Sequence, residues 1–194
     1  MSSKFFANHA RLCIVLVLMA VLTFWLGETR GAWAAKIPQN YSPKQNELWI
    51  KIDKASRKLT LRRGGDEVIK SYPVAVGRGK GVKKSRTDLI TPAGVFTIWR
   101  VIQDATQIVY DPKWFGEPGE PQKGAYGSKL VSFYNPWEIA LHGTNSPKSI
   151  GNAVTHGCIR MHNKDIVELS KSIKPGMRLW IVEKDEPIVE YDTI

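Results

Sequence analysis

Apolar and polar residues alternate over Leu48, Ile50 and Ile52, and the alternation returns at Leu59 and Leu61 after a polar turn. A period of two sets apolar side chains on one face of an extended chain, so both runs predict half-buried strands. Gly64-Gly65-Asp66 turns the chain into a third run, residues 67–76, and the three predict an antiparallel meander. Residues 94–101, 130–133, 137–141 and 177–182 predict further strands. One helix is expected, capped by Asn163, running through Asp165-Ile166-Val167-Glu168-Leu169 and ended by Pro175-Gly176. Many short strands with Gly/Pro turns and a single helix indicate a mainly β sandwich or barrel.

Two stretches break the pattern. Residues 77–91 hold Gly77, Gly79 and Gly81 among Arg78, Lys80, Lys83, Lys84 and Arg86, and read as loop. Residues 104–129 interleave Pro112, Gly116, Pro118, Gly119, Pro121, Gly124 and Gly127 with Tyr110, Trp114, Phe115 and Tyr126. A loop this long inside a compact domain is either a lid or a surface excursion whose aromatics plug the core.

The amino terminus reads as an export signal. Lys4 and Arg11 precede an apolar run over residues 12–26, and Ala32-Trp33-Ala34 supplies small residues for cleavage after Ala34 or Ala35. The run is shorter than the roughly 20 residues that span a bilayer, so no stable membrane insertion is expected after cleavage. The expected organisation is a signal peptide at 1–35, a linker at 36–45, a single domain at 46–184 and a tail at 185–194. Removal of Lys4, Arg11, Arg30 and Glu28 takes the formal charge from +10 to about +8. The basic residues form no helical stripe and no nucleic-acid motif, so nucleic acid is not an expected partner; an exported basic chain meets anionic wall polymers first.

Cys13 leaves with the signal, so the processed chain carries one cysteine and no internal disulfide. That residue, Cys158, lies in Thr155-His156-Gly157-Cys158-Ile159-Arg160, a segment that begins thirteen residues after His142. A thiol nucleophile needs a base within reach and backbone N–H groups aimed at the oxyanion. His142, at a predicted strand end, is the expected base. His156 and Gly157 are expected to shape the turn, with the N–H groups of Gly157 and Cys158 facing the oxyanion. Arg160 suits a substrate carboxylate, with a surface arginine as the alternative. The spacing of His156, Cys158 and His162 matches none of the common structural zinc patterns, and ligation would block the thiolate, so no metal is expected.

Leu141-His142-Gly143-Thr144-Asn145, Ser149-Ile150-Gly151 and Val154-Thr155-His156-Gly157-Cys158-Ile159-Arg160-Met161-His162-Asn163, with Thr91-Pro92-Ala93-Gly94-Val95-Phe96-Thr97-Ile98, closely resemble the L,D-transpeptidase catalytic domain of YkuD type. The resemblance runs from about Glu47 to Glu183. It implies an L,D-transpeptidase-like β-sandwich with one short helix after the catalytic cysteine, and a penicillin-insensitive peptidoglycan enzyme. Cys158 would form a thioester with a stem peptide, His142 would carry the protons, and a stem amine would complete the cross-link. Gly143, Thr144 and Thr155 would join Arg160 in meeting the substrate. No metal or organic cofactor is implied. Gly143 and Arg160 follow a branch of the family that lacks a hydroxyl residue after the base and asparagine at the position of Arg160.

The expected protein is therefore an exported acyltransferase of the periplasm or cell wall, acting on peptidoglycan stem peptides in wall biogenesis and cell shape, as a monomer. The same thioester could pass to water, giving a carboxypeptidase, or to a lipoprotein lysine. An inactive wall-binding module is the rival of a different class.

Overall fold

The computed structural model describes residues 37–65 and 67–184. The expected signal peptide and the 185–194 tail lie outside the described residues. The meander is present: β1 (Leu48–Asp53), β2 (Lys58–Arg63) and β3 (Glu67–Pro73) pair antiparallel in that order. Ile50 stands opposite Leu61 and Ile52 opposite Leu59, so the apolar alternation is matched rung by rung. The alternate positions of β1 are not solvated as half-buried strands predict. Trp49 packs on Trp180 and Tyr41, and Lys51 lies with its ammonium over the Trp180 ring, so both faces of the strand are buried.

β5 (Gly94–Ile102) is the strand on which the two halves meet. Its first residues pair with β12 (Arg178–Val182), and past a bulge at Trp99 its remainder pairs with β8 (Leu130–Phe133). β12 in turn runs parallel to β1. On the other side β8 pairs with β9 (Ala140–His142), and β9 with β11 (Ile159–Arg160) in parallel. The result is an eight-stranded array, ordered β11-β9-β8-β5-β12-β1-β2-β3, with one eight-residue α-helix among the described residues, α1 (Asn163–Ser170). This is the expected mainly β fold. None of the described helices is long and apolar enough to cross a membrane.

Four local features depart from the pattern read along the chain. The segment read as linker is docked at Pro38 and Gln39, with Pro38 O accepting from Val95 N at 2.7 Å and Gln39 O from Trp180 Nε1 at 3.0 Å. The loop at 77–91 opens with a short strand, β4 (Val76–Gly77), which pairs in parallel with β10 (Ala153–Thr155). Residues 104–129 contain a small ribbon, β6 (Val109–Tyr110) with β7 (Gln122–Lys123), and a 3-10 turn at Pro112–Phe115 capped by Asp111. The strand expected at 137–141 begins only at Ala140, because Asn135 folds the preceding residues into a turn.

The Asn135 side chain makes four hydrogen bonds in that turn. Its amide donates to Phe133 O and Ile139 O at 2.9 and 2.8 Å, and its oxygen accepts from Trp137 N and Ile139 N at 3.1 and 3.0 Å. The turn sets where β9 starts and hence where His142 emerges. Asn135→Ala should lower the unfolding free energy by about 2 to 4 kcal/mol, at roughly 0.5 to 1.5 kcal/mol per bond with some rescue by water. Asn135→Asp keeps the acceptors but sets a carboxylate oxygen against Phe133 O and Ile139 O, so it should lose at least as much. Urea denaturation followed by tryptophan fluorescence measures both, and an unchanged midpoint in the alanine variant would refute the brace.

Candidate active site

Parallel pairing of β9 with β11 brings two distant segments side by side. Arg160 stands opposite His142 and Ile159 opposite Leu141, so Cys158, one residue before β11, arrives beside Ala140 at the start of β9, two positions short of His142 in the register. The turn that presents Cys158 is tied by hydroxyls. Thr155 Oγ1 donates to Cys158 O at 2.6 Å and accepts from Gly157 N at 3.1 Å. Thr91 Oγ1 donates to Gly157 O at 2.8 Å and accepts from Gly77 N at 2.8 Å. Gly157 has φ +125°, and a Cβ there would lie 2.7 Å from Ile90 O and 2.8 Å from Ile139 Cδ1. Only glycine fits both the conformation and the space.

His142 is buried, at 4% exposure, with Nδ1 2.6 Å from Gly143 O. A carbonyl only accepts, so Nδ1 carries the hydrogen and Nε2 keeps its lone pair. Burial pushes the imidazole down to about 4, and the charge of Arg160 adds to this against the Gly143 hydrogen bond. Burial pushes the Cys158 thiol up, opposed by the Ala140 backbone and by the charges of Lys83, Arg160 and Arg86. The resting pair is thus a neutral thiol and a neutral imidazole with the tautomer of a base. Both line one cavity of about 250 Å³, together with Arg160, His156, Thr155 and Asn145.

Residues 104–129 supply the other wall of this cavity through Tyr110, Phe115, Gln122, Ala125 and Tyr126. The Tyr126 ring meets the His142 ring edge-on at 5.0 Å. His156 is enclosed by the same segment: Nε2 lies 2.9 Å from Glu117 Oε2, Nδ1 3.3 Å from Tyr110 Oη, and the ring stacks on Phe115 at 4.5 Å. Glu117 also binds Arg78, and hydrogen bonds from His156 and Arg78 hold its carboxyl below the usual carboxylate range. Enclosed by these contacts, His156 is a wall of the cavity.

The expected substrate contacts divide. Arg160 lines the cavity, its Nη1 donating to Ser149 Oγ at 3.0 Å while its buried Nε has no protein partner. Thr155 also lines the cavity, but its hydroxyl is spent within the turn. Gly143 and Thr144 are held away from it by Asn163, whose oxygen accepts from Thr144 N and Ser128 N and whose amide donates to Thr144 O. A Cβ on Gly143 would lie 2.1 Å from that oxygen, and Thr144 Oγ1 accepts from Ser146 N. The cap of α1 is His162, which leaves the Asn163 side chain free for this task. Asn163 and the partners of His156 were not expected; the aromatics crowded into residues 104–129 were the available signal.

The L,D-transpeptidase catalytic domain model of the YkuD family matches residues 47–182. The chain is 34% identical to the L,D-transpeptidase YkuD of Bacillus subtilis over 175 residues, covering 90% of each chain. It is 43% identical over 169 residues to the L,D-transpeptidase YbiS of Escherichia coli, covering 82% of this chain and 52% of that one. Among solved structures, it resembles the L,D-transpeptidase LdtMt1 in complex with imipenem, at 23% identity and a TM-score of 0.53, over 70% of this chain and 58% of that one. The L,D-transpeptidase from Mycobacterium smegmatis gives 22% identity and a TM-score of 0.52 over the same shares. At these identities the two solved structures speak for the fold, and the family follows from the match across the domain and the Bacillus relative: the chain belongs to the YkuD family of L,D-transpeptidase catalytic domains.

Proposed function

We propose that the protein is a peptidoglycan L,D-transpeptidase with Cys158 as nucleophile and His142 as the proton carrier. The observation that carries this reading is the shared cavity of Cys158 and His142, with His142 Nδ1 tied to Gly143 O so that Nε2 is the accepting nitrogen. Sγ attacks the carbonyl of the third stem residue as His142 Nε2 takes the thiol proton, and a tetrahedral oxyanion forms. Collapse breaks the amide bond, the D-residue leaves as an amine with the proton from His142, and a thioester remains. An acceptor amine then attacks that carbonyl, His142 takes its proton, and the thiol is restored.

The Gly157 N–H is occupied by Thr155 Oγ1, so in this reading Cys158 N–H is the first oxyanion donor and Gly157 serves the turn. Residues 104–129 act as the lid that excludes water, held shut through Glu117 and Tyr110 on His156. Export through the amino-terminal signal, residence in the periplasm or cell wall, a role in cell shape and action as a monomer complete the proposal. Mass analysis of products from tetrapeptide-containing muropeptides separates the acceptors: a cross-linked dimer supports transpeptidation, a shortened monomer means a carboxypeptidase. Cys158→Ala should yield neither product, and wild-type yield from that variant would overturn the assignment.

The pH dependence follows from a neutral resting pair. His142 must be unprotonated to accept, so the acylation rate should hold as pH is lowered from 7 to 5 and fall only on approach to about 4. Stability follows the same direction as for a carboxylate held below its usual range, in a higher pH window. An unfolded histidine titrates near 6.5, so below that pH the unfolded chain binds a proton that the native chain refuses. Stability from this group is complete above 6.5 and lost as pH falls toward 4, by roughly 3 kcal/mol. His142→Gln should remove this dependence; urea midpoints at pH 7 and 4.5 test it, and an equal drop in wild type and variant would contradict the burial argument.

Arg160 lines the cavity, has a buried Nε without a protein partner, and is assigned to a carboxylate of the stem peptide. A charge-assisted contact of this kind is worth roughly 10- to 150-fold, and lysine lacks its planar fork. Arg160→Lys should lose this factor in acylation by the natural tetrapeptide and much less by a donor amidated at the matching carboxylate. Equal losses on both donors would make Arg160 a brace of the turn.

A further inference from the structure

The loop at residues 77–91 buries a lysine ammonium that the chemistry above does not use. Lys83 is 2% exposed, and its Nζ lies 2.8 Å from Asp88 Oδ1. A charge withdrawn from water is costly even when paired, and an apolar side chain of similar volume would fill the space at lower cost. Its position suggests why the charge is there.

Asp88 links the ammonium to the backbone under the cysteine turn. Its Oδ2 accepts from Lys84 N at 2.6 Å and Ser85 N at 2.8 Å, closing the 3-10 turn Arg86–Asp88. Leu89 follows with φ 60°, and the next two residues are those that seat Gly157: Ile90 O lies against its Cα, and Thr91 Oγ1 binds its carbonyl. The Lys83–Asp88 pair therefore sits directly behind the platform on which Cys158 rests.

We infer that Lys83 is a positioning residue for the acyl transfer, holding the 88–91 platform through Asp88 and keeping a fixed positive charge behind Cys158 that favours its thiolate. The inference rests on the reading of Cys158 as nucleophile. The charges that face Cys158 are Lys83, Arg160 and Arg86, with His142 and Tyr126 across the cavity; Lys83 itself faces Asp88 and Lys54. Arg86 is engaged by Glu138 at 2.8 Å and by the Trp114 and Phe115 rings, and Arg160 turns to the substrate side. Lys83, with a side chain at 0% exposure, is the cation whose field is least altered by lid or substrate. Burial pulls its ammonium toward neutrality, and the hydrogen bond and charge of Asp88 oppose that. At low local dielectric a fixed charge acts on a neighbouring thiolate far more strongly than in water.

The test is the pH profile of Cys158 alkylation by iodoacetamide, in the full chain carrying Cys13→Ser so that one thiol remains. Lys83→Gln keeps a donor for Asp88 and removes the charge. Its alkylation midpoint should rise by about one pH unit, a roughly tenfold slower reaction below the midpoint, while Lys83→Arg should stay close to wild type. A folded Lys83→Gln variant with the wild-type midpoint would overturn the electrostatic role. If neither variant folds, ¹⁵N NMR of the lysine side chains in the Cys13→Ser chain decides: Lys83 should be an ammonium at pH 7 whose resonance moves when Cys158 is alkylated, and a neutral or unresponsive amine would refute the inference. Alkylation reports on the thiol alone, so these outcomes are separate from loss of the nucleophile assignment, which the turnover of Cys158→Ala decides.

Discussion

The hydroxyl of Thr91 joins three parts of the chain that are far apart in sequence. By accepting from Gly77 N and donating to Gly157 O, it fixes the cysteine turn against the start of the 77–91 loop. The fit is close because Gly157 offers no side chain and Ile90 O fills the space that a Cβ would take. A buried hydroxyl with both its donor and an acceptor site used is hard to replace: valine would leave an N–H and a carbonyl without partners. The parallel pairing of β9 and β11 then carries Cys158 to His142, so the meeting of thiol and imidazole rests on this junction and on the register beyond it.

Burial shapes the chemistry as much as proximity does. Withdrawal from water pushes the thiol up and the imidazole down, so neither group is charged at rest. A proton that moves only when a carbonyl is in place avoids a standing thiolate, which in an oxidising compartment would be open to oxidation. Three cations around Cys158 lower the cost of the charge when it does form.

Local pattern carried the meander and the site motif well. Ile50, Ile52, Leu59 and Leu61 announced their strands because each rung is matched across a short turn, and Cys158 stood out because the other cysteine, Cys13, lies in the amino-terminal apolar run. The insertion of β12 between β1 and β5 was not legible, since its partners lie far away in sequence. Trp137 to Ile139 read as strand by composition, and the Asn135 amide overrides that preference with four directed bonds. Asn163 looked like a helix cap, the usual employment of asparagine at that place, whereas its amide is used to join Ser128 and Thr144. The same amide holds Gly143 and Thr144, which the resemblance implied as substrate contacts, outside the lining of the cavity.

The base of the 104–129 segment is stitched across. Ala105 N binds Ser128 O, Gly124 N binds Thr106 O, and beyond these β6 pairs with β7. Two legs sewn together in this way brace each other along their length. The free end of the segment is fastened by Glu117 with Arg78, by Glu117, Tyr110 and Phe115 with His156, and by the Trp114 and Phe115 rings with Arg86. Access to Cys158 is then closer to releasing a catch than to unfolding a loop, and the catch is fixed to the residue two places before the nucleophile.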